Sequence, residues 1–311
     1  MQLTVDLEVE GGRGRSVRVL PERKSERVGD LARAKDATMQ GHHLLHHHHH
    51  QQLQQQLAAL LSAALSQPSP KPADGDPTSS SISPSSGASQ DEAERGADSD
   101  RVAALDSLQR AILYPPNSFL IAHSAPFLSQ GLFQLLSDKS YLVRRAAALT
   151  YGSLCAVVCS IPLSSNGRQN HVILAGGLVD RFTGWALPLI RDASIANGSS
   201  ELAFEGLRQF LNAGDPKSIE RYVLQILKSC QETLEDERTP LNVLHQLLGL
   251  LTLIALKYGN CFQPHFVDII DLLLGWALVP DLSELDRQII MDSFLQFKSQ
   301  WLSYGFWYAG S

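Results

Sequence analysis

Beyond Asp100 the sequence keeps one pattern to its end, with apolar residues at helical spacing in segments separated by short turns. Leu, Ile, Val and Ala recur at i, i+3, i+4 and i+7, which is the period of an amphipathic α-helix. No stretch in this part alternates apolar and polar residues over the length of a strand. The pattern predicts an all-α domain of about nine helices and excludes a sheet-based nucleotide-binding or barrel domain.

The turns between these segments are only a few residues long, so helices adjacent in sequence must be antiparallel neighbours in space. Residue pairs typical of helix N-termini support the segmentation, because an N-cap side chain precedes a proline at the first helical position or an acidic residue three positions on. These pairs are Asp215 with Pro216, Thr239 with Pro240, and Asp281 with Glu284. The sequence therefore predicts stacked helix hairpins over residues 101–303.

An internal repeat points to a regular stack. The string Gly-Trp-Ala-Leu occurs at Gly184 and again at Gly275, each time shortly after a Val-Asp pair and shortly before a proline. The two copies are 91 residues apart, close to twice the roughly 40–47 residues of HEAT and armadillo repeats. We expect Trp185 and Trp276 to fill equivalent places between helices, although an exposed tryptophan on a concave face would instead mark a partner site.

A second feature is typical of HEAT repeats. Asp138 ends a turn, and the pair Val143 and Arg144 opens an alanine-rich helix. The alanines would allow close helix packing, and Asp138 could reach Arg144 across the turn. The alternative is an ordinary salt bridge in any helical bundle. Taken together, the patterns predict a HEAT/armadillo-like α-solenoid of antiparallel helix pairs, preceded by a largely disordered N-terminal region.

The first hundred residues divide into three pieces. Residues 1–38 form an extension in which short alternating segments on either side of a glycine-rich turn predict at most a weak hairpin. Residues 39–65 are rich in His and Gln and end in leucines at helical spacing, which predicts a short amphipathic helix. Residues 66–100 contain 10 Ser and 5 Pro, which predicts a disordered linker.

Charge and cysteine content narrow the function classes. The net charge is −6 and basic residues do not cluster, so no surface for a nucleic acid is expected. The longest uncharged apolar run, residues 239–256, contains polar residues and is interpreted as a buried helix rather than a membrane span. Cys155 and Cys159 lie one helical turn apart, but the four cysteines are interpreted as buried apolar side chains rather than metal ligands.

No catalytic motif for a hydrolase, zinc protease, nucleotidase or kinase occurs in the sequence. No catalytic residue, metal site or cofactor is therefore predicted. The lone histidines, His123, His171, His245 and His265, are interpreted as packing or capping groups. A helical enzyme with a dispersed active site would need titratable groups converging in a pocket, and no motif in the sequence indicates them.

The segment 241–301 contains a leucine-rich run at 247–254, a helical segment at 266–276 that ends in Gly275-Trp276, and a further run at 291–297. With these features it resembles the N-terminal helical solenoid of the nonsense-mediated mRNA decay kinases, within the phosphatidylinositol-3-kinase-related kinase family. The His- and Gln-rich opening from Met39 is similar to the plant form of the family. The resemblance covers residues 39–302, after which residues 304–311 form an atypical tail that departs from the family pattern.

The resemblance implies a non-catalytic scaffold segment of a Ser/Thr protein kinase, located in the cytoplasm with the nucleus as a second site. Its implied partners are proteins: the regulatory subunits of the kinase, the surveillance RNA helicase and the rest of the solenoid. The kinase domain of the family lies downstream of the matching region, so we expect no activity from this chain alone. The alternative is a standalone HEAT or armadillo adaptor in transport or transcription.

Within the predicted linker, Ser-Gln dipeptides begin at Ser66 and Ser89. Kinases of this family phosphorylate Ser-Gln sites, so the resemblance implies that both serines are candidate phosphosites. Chance occurrence of the dipeptide is the alternative interpretation.

Overall fold

A computed structural model describes residues 50–66, 87–161, 168–192 and 199–308 of the chain. Residues Gln52–Ser311 form one compact unit, distinct from Met1–Gln51. The predicted hairpin in residues 1–38 and most of the predicted linker lie outside the described residues. Within the described ranges all regular structure is helical, which confirms the all-α prediction.

Eleven α-helices occur in the described ranges. The first, α1, spans residues 50–65. The others are α2 Gly87–Leu113, α3 Ser118–Leu135, α4 Tyr141–Ser160, α5 Arg168–Arg191, α6 Ser199–Ala213, α7 Pro216–Glu235, α8 Leu241–Lys257, α9 Gly259–Phe262, α10 Phe266–Ala277 and α11 Glu284–Tyr308. Short 3-10 turns at Pro115–Asn117 and Gln263–His265 precede α3 and α10.

The helices form two layers. In the first layer α2 contacts α4, α4 contacts α6, α6 contacts α8, and α8 contacts α11. In the second layer α3 contacts α5, α5 contacts α7, and α7 contacts α10. Consecutive helices also pack across the layers, as α3 does with α4 and α5 with α6. The result is a solenoid of helix pairs, as the short turns predicted.

The core follows the apolar face of each helix. In α6 the buried residues Leu202, Leu207, Phe210 and Leu211 recur at helical spacing. In α1 the buried residues are Leu53, Leu57, Leu61 and Ala64. Each of these helices thus buries one apolar face against its neighbours. This burial provides most of the stability of short helices.

The two central helices of the first layer, α4 and α6, approach each other at a pair of glycines. A Cβ atom added to Gly152 would lie 2.2 Å from the carbonyl oxygen of Gly206. A Cβ atom added to Gly206 would lie 3.1 Å from the carbonyl oxygen of Ala148. The backbones can meet this closely only because both positions lack a side chain.

Helix α4 is long and apolar enough to cross a membrane by length and composition, with a mean hydropathy of 1.3. However, 67% of that stretch is buried inside the fold. Helix α8 and the segment Gly259–Ala277 pass the same test together, but they are bent by 116° at their junction. Burial of this kind is typical of core helices in a helical stack.

Several predicted boundaries differ from the structure. Helix α2 begins at Gly87, inside the predicted linker. The last proline of the Ser/Pro-rich stretch is Pro84, so no proline after it interrupts the helix. Helix α11 continues to Tyr308, beyond the predicted limit at residue 303. Residues 304–308 of the predicted tail are therefore helical.

Of the three predicted N-caps, one is found in the structure. Asp215 caps α7 as predicted, accepting a hydrogen bond from the backbone N–H of Ser218 at 3.1 Å. The N-cap of α8 is Pro240, and the Thr239 hydroxyl donates instead to the Thr233 carbonyl at 2.8 Å. At α11 the hydroxyl of Ser283, rather than Asp281, accepts from the backbone N–H of Asp286 at 3.2 Å.

Candidate protein-binding surface

The sequence motif around Asp138 forms a buried polar junction that joins α1, α2 and the turn between α3 and α4. The guanidinium of Arg101 in α2 bonds both carboxylate oxygens of Asp138 in the turn between α3 and α4. Its Nε also donates to the carbonyl oxygen of Ala64, near the end of α1, at 2.8 Å. Both side chains are almost fully buried, at 4% and 6% exposure, so the charge of Asp138 depends on Arg101, which also lies 3.3 Å from Asp98.

The predicted partner of Asp138 was wrong. Arg144 donates through one Nη1 atom to the backbone carbonyls of Asp138, at 2.7 Å, and of Lys139, at 2.9 Å, while the carboxylate itself binds Arg101. The reason is geometric: the carboxylate points across to α2, where a buried guanidinium needs a counter-charge. Val143 is fully buried beside this junction.

The electrostatics of the junction favour the ionised pair. Burial opposes ionisation of Asp138, but hydrogen bonds from Arg101 and from the Ser140 N–H, with the nearby positive charges, outweigh it and lower the pKa of the carboxyl. The hydrogen bond to Asp138 raises the pKa of Arg101. This chemistry stabilises the fold and leaves neither group available for catalysis.

The ends of other helices are held in the same way by side chains from a later helix. Lys257 Nζ donates to the carbonyls of Leu211, Asn212 and Gly214 at the end of α6, at 2.7, 2.7 and 2.9 Å. Arg287 donates to the Ala277 carbonyl at the end of α10, at 2.6 Å. These donors satisfy carbonyls that lack partners within their own helices.

The two tryptophans of the repeated string lie in the second layer, two helices apart. Trp185 is in α5, partly buried, with its ring 6.0 Å from that of Phe182. Trp276 is in α10, and its indole Nε1 donates to the Leu234 carbonyl at the end of α7, at 2.8 Å. The spacing of 91 residues therefore corresponds to two steps along the second layer, from α5 through α7 to α10.

The candidate phosphosites have different surroundings. Ser66 is exposed directly after α1, and its hydroxyl donates to the Ser62 carbonyl at 2.8 Å. Ser89 lies in the first turn of α2 rather than in a linker, because that helix begins at Gly87. Phosphorylation at either serine stays a prediction.

In the described part of the chain the cysteines are buried or half-buried, and His245 and His265 each contact a polar side chain of another helix. Cys155, Cys230 and Cys261 are buried, Cys159 is half-buried, and burial raises the pKa of the Cys159 thiol to about 11. His265 Nδ1 lies 3.1 Å from Gln231 Oε1, and His245 Nε2 lies 3.1 Å from Asp286 Oδ1. Among the described residues no three potential metal ligands form a group.

A cleft of about 490 Å³ opens where α7 ends beside α10. We call it the α10 cleft. Its lining combines apolar and acidic residues from the end of α7, the following turn and α10: Leu234, Glu235, Glu237, Asp271, Leu272, Gly275, Trp276 and Val279. The hydrogen bond from Trp276 to Leu234 fixes the two sides of the cleft relative to each other.

Beside the cleft, α10 exposes an apolar stripe. Val267 is 64% exposed and Leu278 is 77% exposed, with Leu274 also exposed between them. Together with Asp271 these residues follow the spacing i, i+4, i+7, i+11, which places them on one face of the helix. We call Val267, Leu274 and Leu278 the α10 stripe; Asp271 joins it to the cleft.

Sequence reasoning recognised Trp276 but missed the surface around it. The sequence alone allows no prediction for the other apolar residues of α10, because a helix with apolar residues on most sides gives no sign of which side faces solvent. One signal was available: the short segment 266–277 has more apolar positions than one buried face requires.

No protein-family model, curated protein or solved structure matches the chain.

Proposed function

We propose that the chain is a non-catalytic protein-binding scaffold, a HEAT-like solenoid segment of a nonsense-mediated mRNA decay kinase. In this role it docks regulatory subunits of the kinase or its substrate RNA helicase. The observation that carries the protein-binding part is the α10 surface, where a cleft adjoins an exposed apolar stripe. Contiguous apolar surface of this kind is typical of protein interaction sites.

The spacing of contacts along each layer supports the comparison with HEAT repeats. Three hydrogen bonds between neighbouring helices of one layer join residues 38 apart, from Arg208 to Gln246, 42 apart, from Trp276 to Leu234, and 46 apart, from Lys257 to Leu211. These three separations lie at or near the repeat length of about 40–47 residues in HEAT and armadillo proteins, whereas the hydrogen bonds between α4 and α6 join residues 56–60 apart. The assignment to the kinase family rests on the sequence resemblance.

Binding of the full chain to purified kinase regulatory subunits and to the surveillance helicase, measured by biolayer interferometry, tests the proposal. We expect a dissociation constant of about 1 μM or tighter for at least one of these proteins. Circular dichroism of the same sample shows that the helices are formed. A folded sample that binds none of these proteins would contradict the proposal.

A further inference from the structure

We propose that the α10 cleft and stripe bind a peptide segment of a partner protein in which basic side chains flank apolar ones. This inference rests on the proposed protein-binding function and names the chemistry of the partner. It follows from the charge, the shape and the position of the surface.

The charge of the surface is one-sided. Glu235, Glu237 and Asp271 line the cleft, are exposed, and have no hydrogen-bond or ion-pair partner within the described ranges. The basic residue of the adjacent turn, Arg238, is already paired with Asp236 at 3.0 Å. Helix α10 itself contains no lysine or arginine. A complementary ligand therefore carries positive charge.

The shape of the cleft requires an apolar component as well. Leu272, Trp276 and Val279 form apolar walls, and a Cβ atom added to Gly275 would meet no atom within 4 Å. The absence of a side chain at Gly275 thus keeps the cleft open. A leucine or phenylalanine side chain entering there would bury apolar surface on several sides.

The position of the surface favours a peptide over other cationic or apolar ligands. The stripe continues from the cleft along the length of α10, which suits an extended or helical segment with several anchors. A nucleic acid or an anionic membrane would be repelled by the three carboxylates. A peptide in which apolar and basic side chains alternate can contact both the apolar stripe and the acidic cleft.

Fluorescence anisotropy of the full chain with labelled synthetic peptides tests the inference. The basic probe has Leu and Phe at every third or fourth position and Lys elsewhere; matched probes replace Lys with Gln or Glu. We expect the basic probe to bind about tenfold tighter than the Gln probe, with an affinity that falls as salt rises. Equal binding of the basic and Gln probes would overturn the inference.

Two charge variants separate local attraction from the net charge of the chain. The first variant combines Glu235→Gln, Glu237→Gln and Asp271→Asn. Its affinity for the basic probe should be about tenfold lower than that of the unmodified chain. The control combines Asp100→Asn, Asp106→Asn and Asp192→Asn, three exposed carboxylates outside the cleft, and changes the net charge equally. Equal weakening by both variants would overturn the inference.

A steric variant tests the cleft directly. Gly275→Phe should fill it and abolish probe binding, whereas Gly184→Phe, at the equivalent exposed glycine of α5 with open space around it, should not. Thermal unfolding shows whether both variants fold. Unchanged probe binding to folded Gly275→Phe overturns the inference, while regulatory-subunit binding that survives in the same variant keeps the proposed function.

Discussion

At the scale of single residues, four long polar side chains close the ends of helices. Arg101, Lys257, Trp276 and Arg287 each donate to carbonyls at or near the end of an earlier helix. Those carbonyls carry the negative end of the helix dipole, which makes a cation a favourable partner. Arg101 differs from the others because it is also paired with a buried carboxylate.

Replacing Asp138 should expose how much the fold depends on this pair. Asp138→Ala leaves the buried Arg101 guanidinium with Asp98, 3.3 Å away, as its remaining acidic partner, so we expect a loss of about 3 kcal/mol in the free energy of unfolding at pH 7. Urea denaturation followed by circular dichroism measures it. As a control, Asp106→Ala removes an exposed carboxylate and should change stability by less than about 0.5 kcal/mol.

The same pair predicts a pH dependence. Because the folded pKa of Asp138 is lowered, its stabilising contribution is fully present above its unfolded pKa of about 4 and is lost as pH falls through the folded value. The stability difference between the native chain and Asp138→Ala should therefore be constant from pH 5 to 7 and shrink below about pH 4. A difference that stays constant down to pH 2 would show that the ion pair does not stabilise the fold.

At the scale of helices, the most demanding contact is between α4 and α6. Gly152 faces the backbone of Gly206 so closely that no Cβ atom fits without moving a helix. Gly177 in α5, a helix of the second layer, has different surroundings: a Cβ atom there would meet no atom within 4 Å. The two positions should therefore respond in opposite ways to the same substitution.

Gly152→Ala should destabilise the chain by about 2–3 kcal/mol, because the overpacked contact forces α4 and α6 apart. Gly177→Ala should stabilise it by about 0.5–1 kcal/mol, because alanine is the better helix former and the space is open. Denaturant titration of both variants beside the unmodified chain measures these changes. Destabilisation by Gly177→Ala of the same size would mean that helix packing is not the cause.

At the scale of the whole molecule, the helices of the two layers touch their neighbours in the same layer and a partner across the layers. In such a stack stability is close to a sum of local contributions, so it varies along the chain. Helix α4 buries most of its length between α2 and α6. Helix α10 buries only Ile269, Leu273 and Ala277, which fits a helix that keeps one face free for a partner.

Hydrogen exchange of the full chain should show this gradient. We expect the backbone amides of α4 and α6 to exchange most slowly and those of α10 to exchange at least about tenfold faster, because fewer buried contacts must break to open α10. Mass spectrometry of peptic fragments measures the rates. Uniform protection across α4, α6 and α10 would mean that the stack opens as one cooperative unit.

Much of the fold could be predicted from the sequence, because helical periodicity and helix caps are local properties. The leucines at 202, 207 and 211 mark the buried face of α6, and Asp215 with Pro216 marks the start of α7. The spacing of the two Gly-Trp-Ala-Leu strings predicted a regular stack, and both tryptophans lie in one layer two helices apart. Each of these inferences used either residues within a few helical turns of each other or a repeated string.

The contacts that join distant residues could not be predicted in this way. Asp138 binds Arg101, 37 residues earlier, rather than the nearby Arg144, because the packing of α2 against the turn places a buried guanidinium there. The α10 cleft likewise depends on where α7 ends beside α10. The sequence by itself determined that the chain is helical and, for amphipathic helices such as α6, which stripe is buried; only the tertiary structure decided which charges pair and which face of α10 stays open, since packing brings together side chains tens of residues apart.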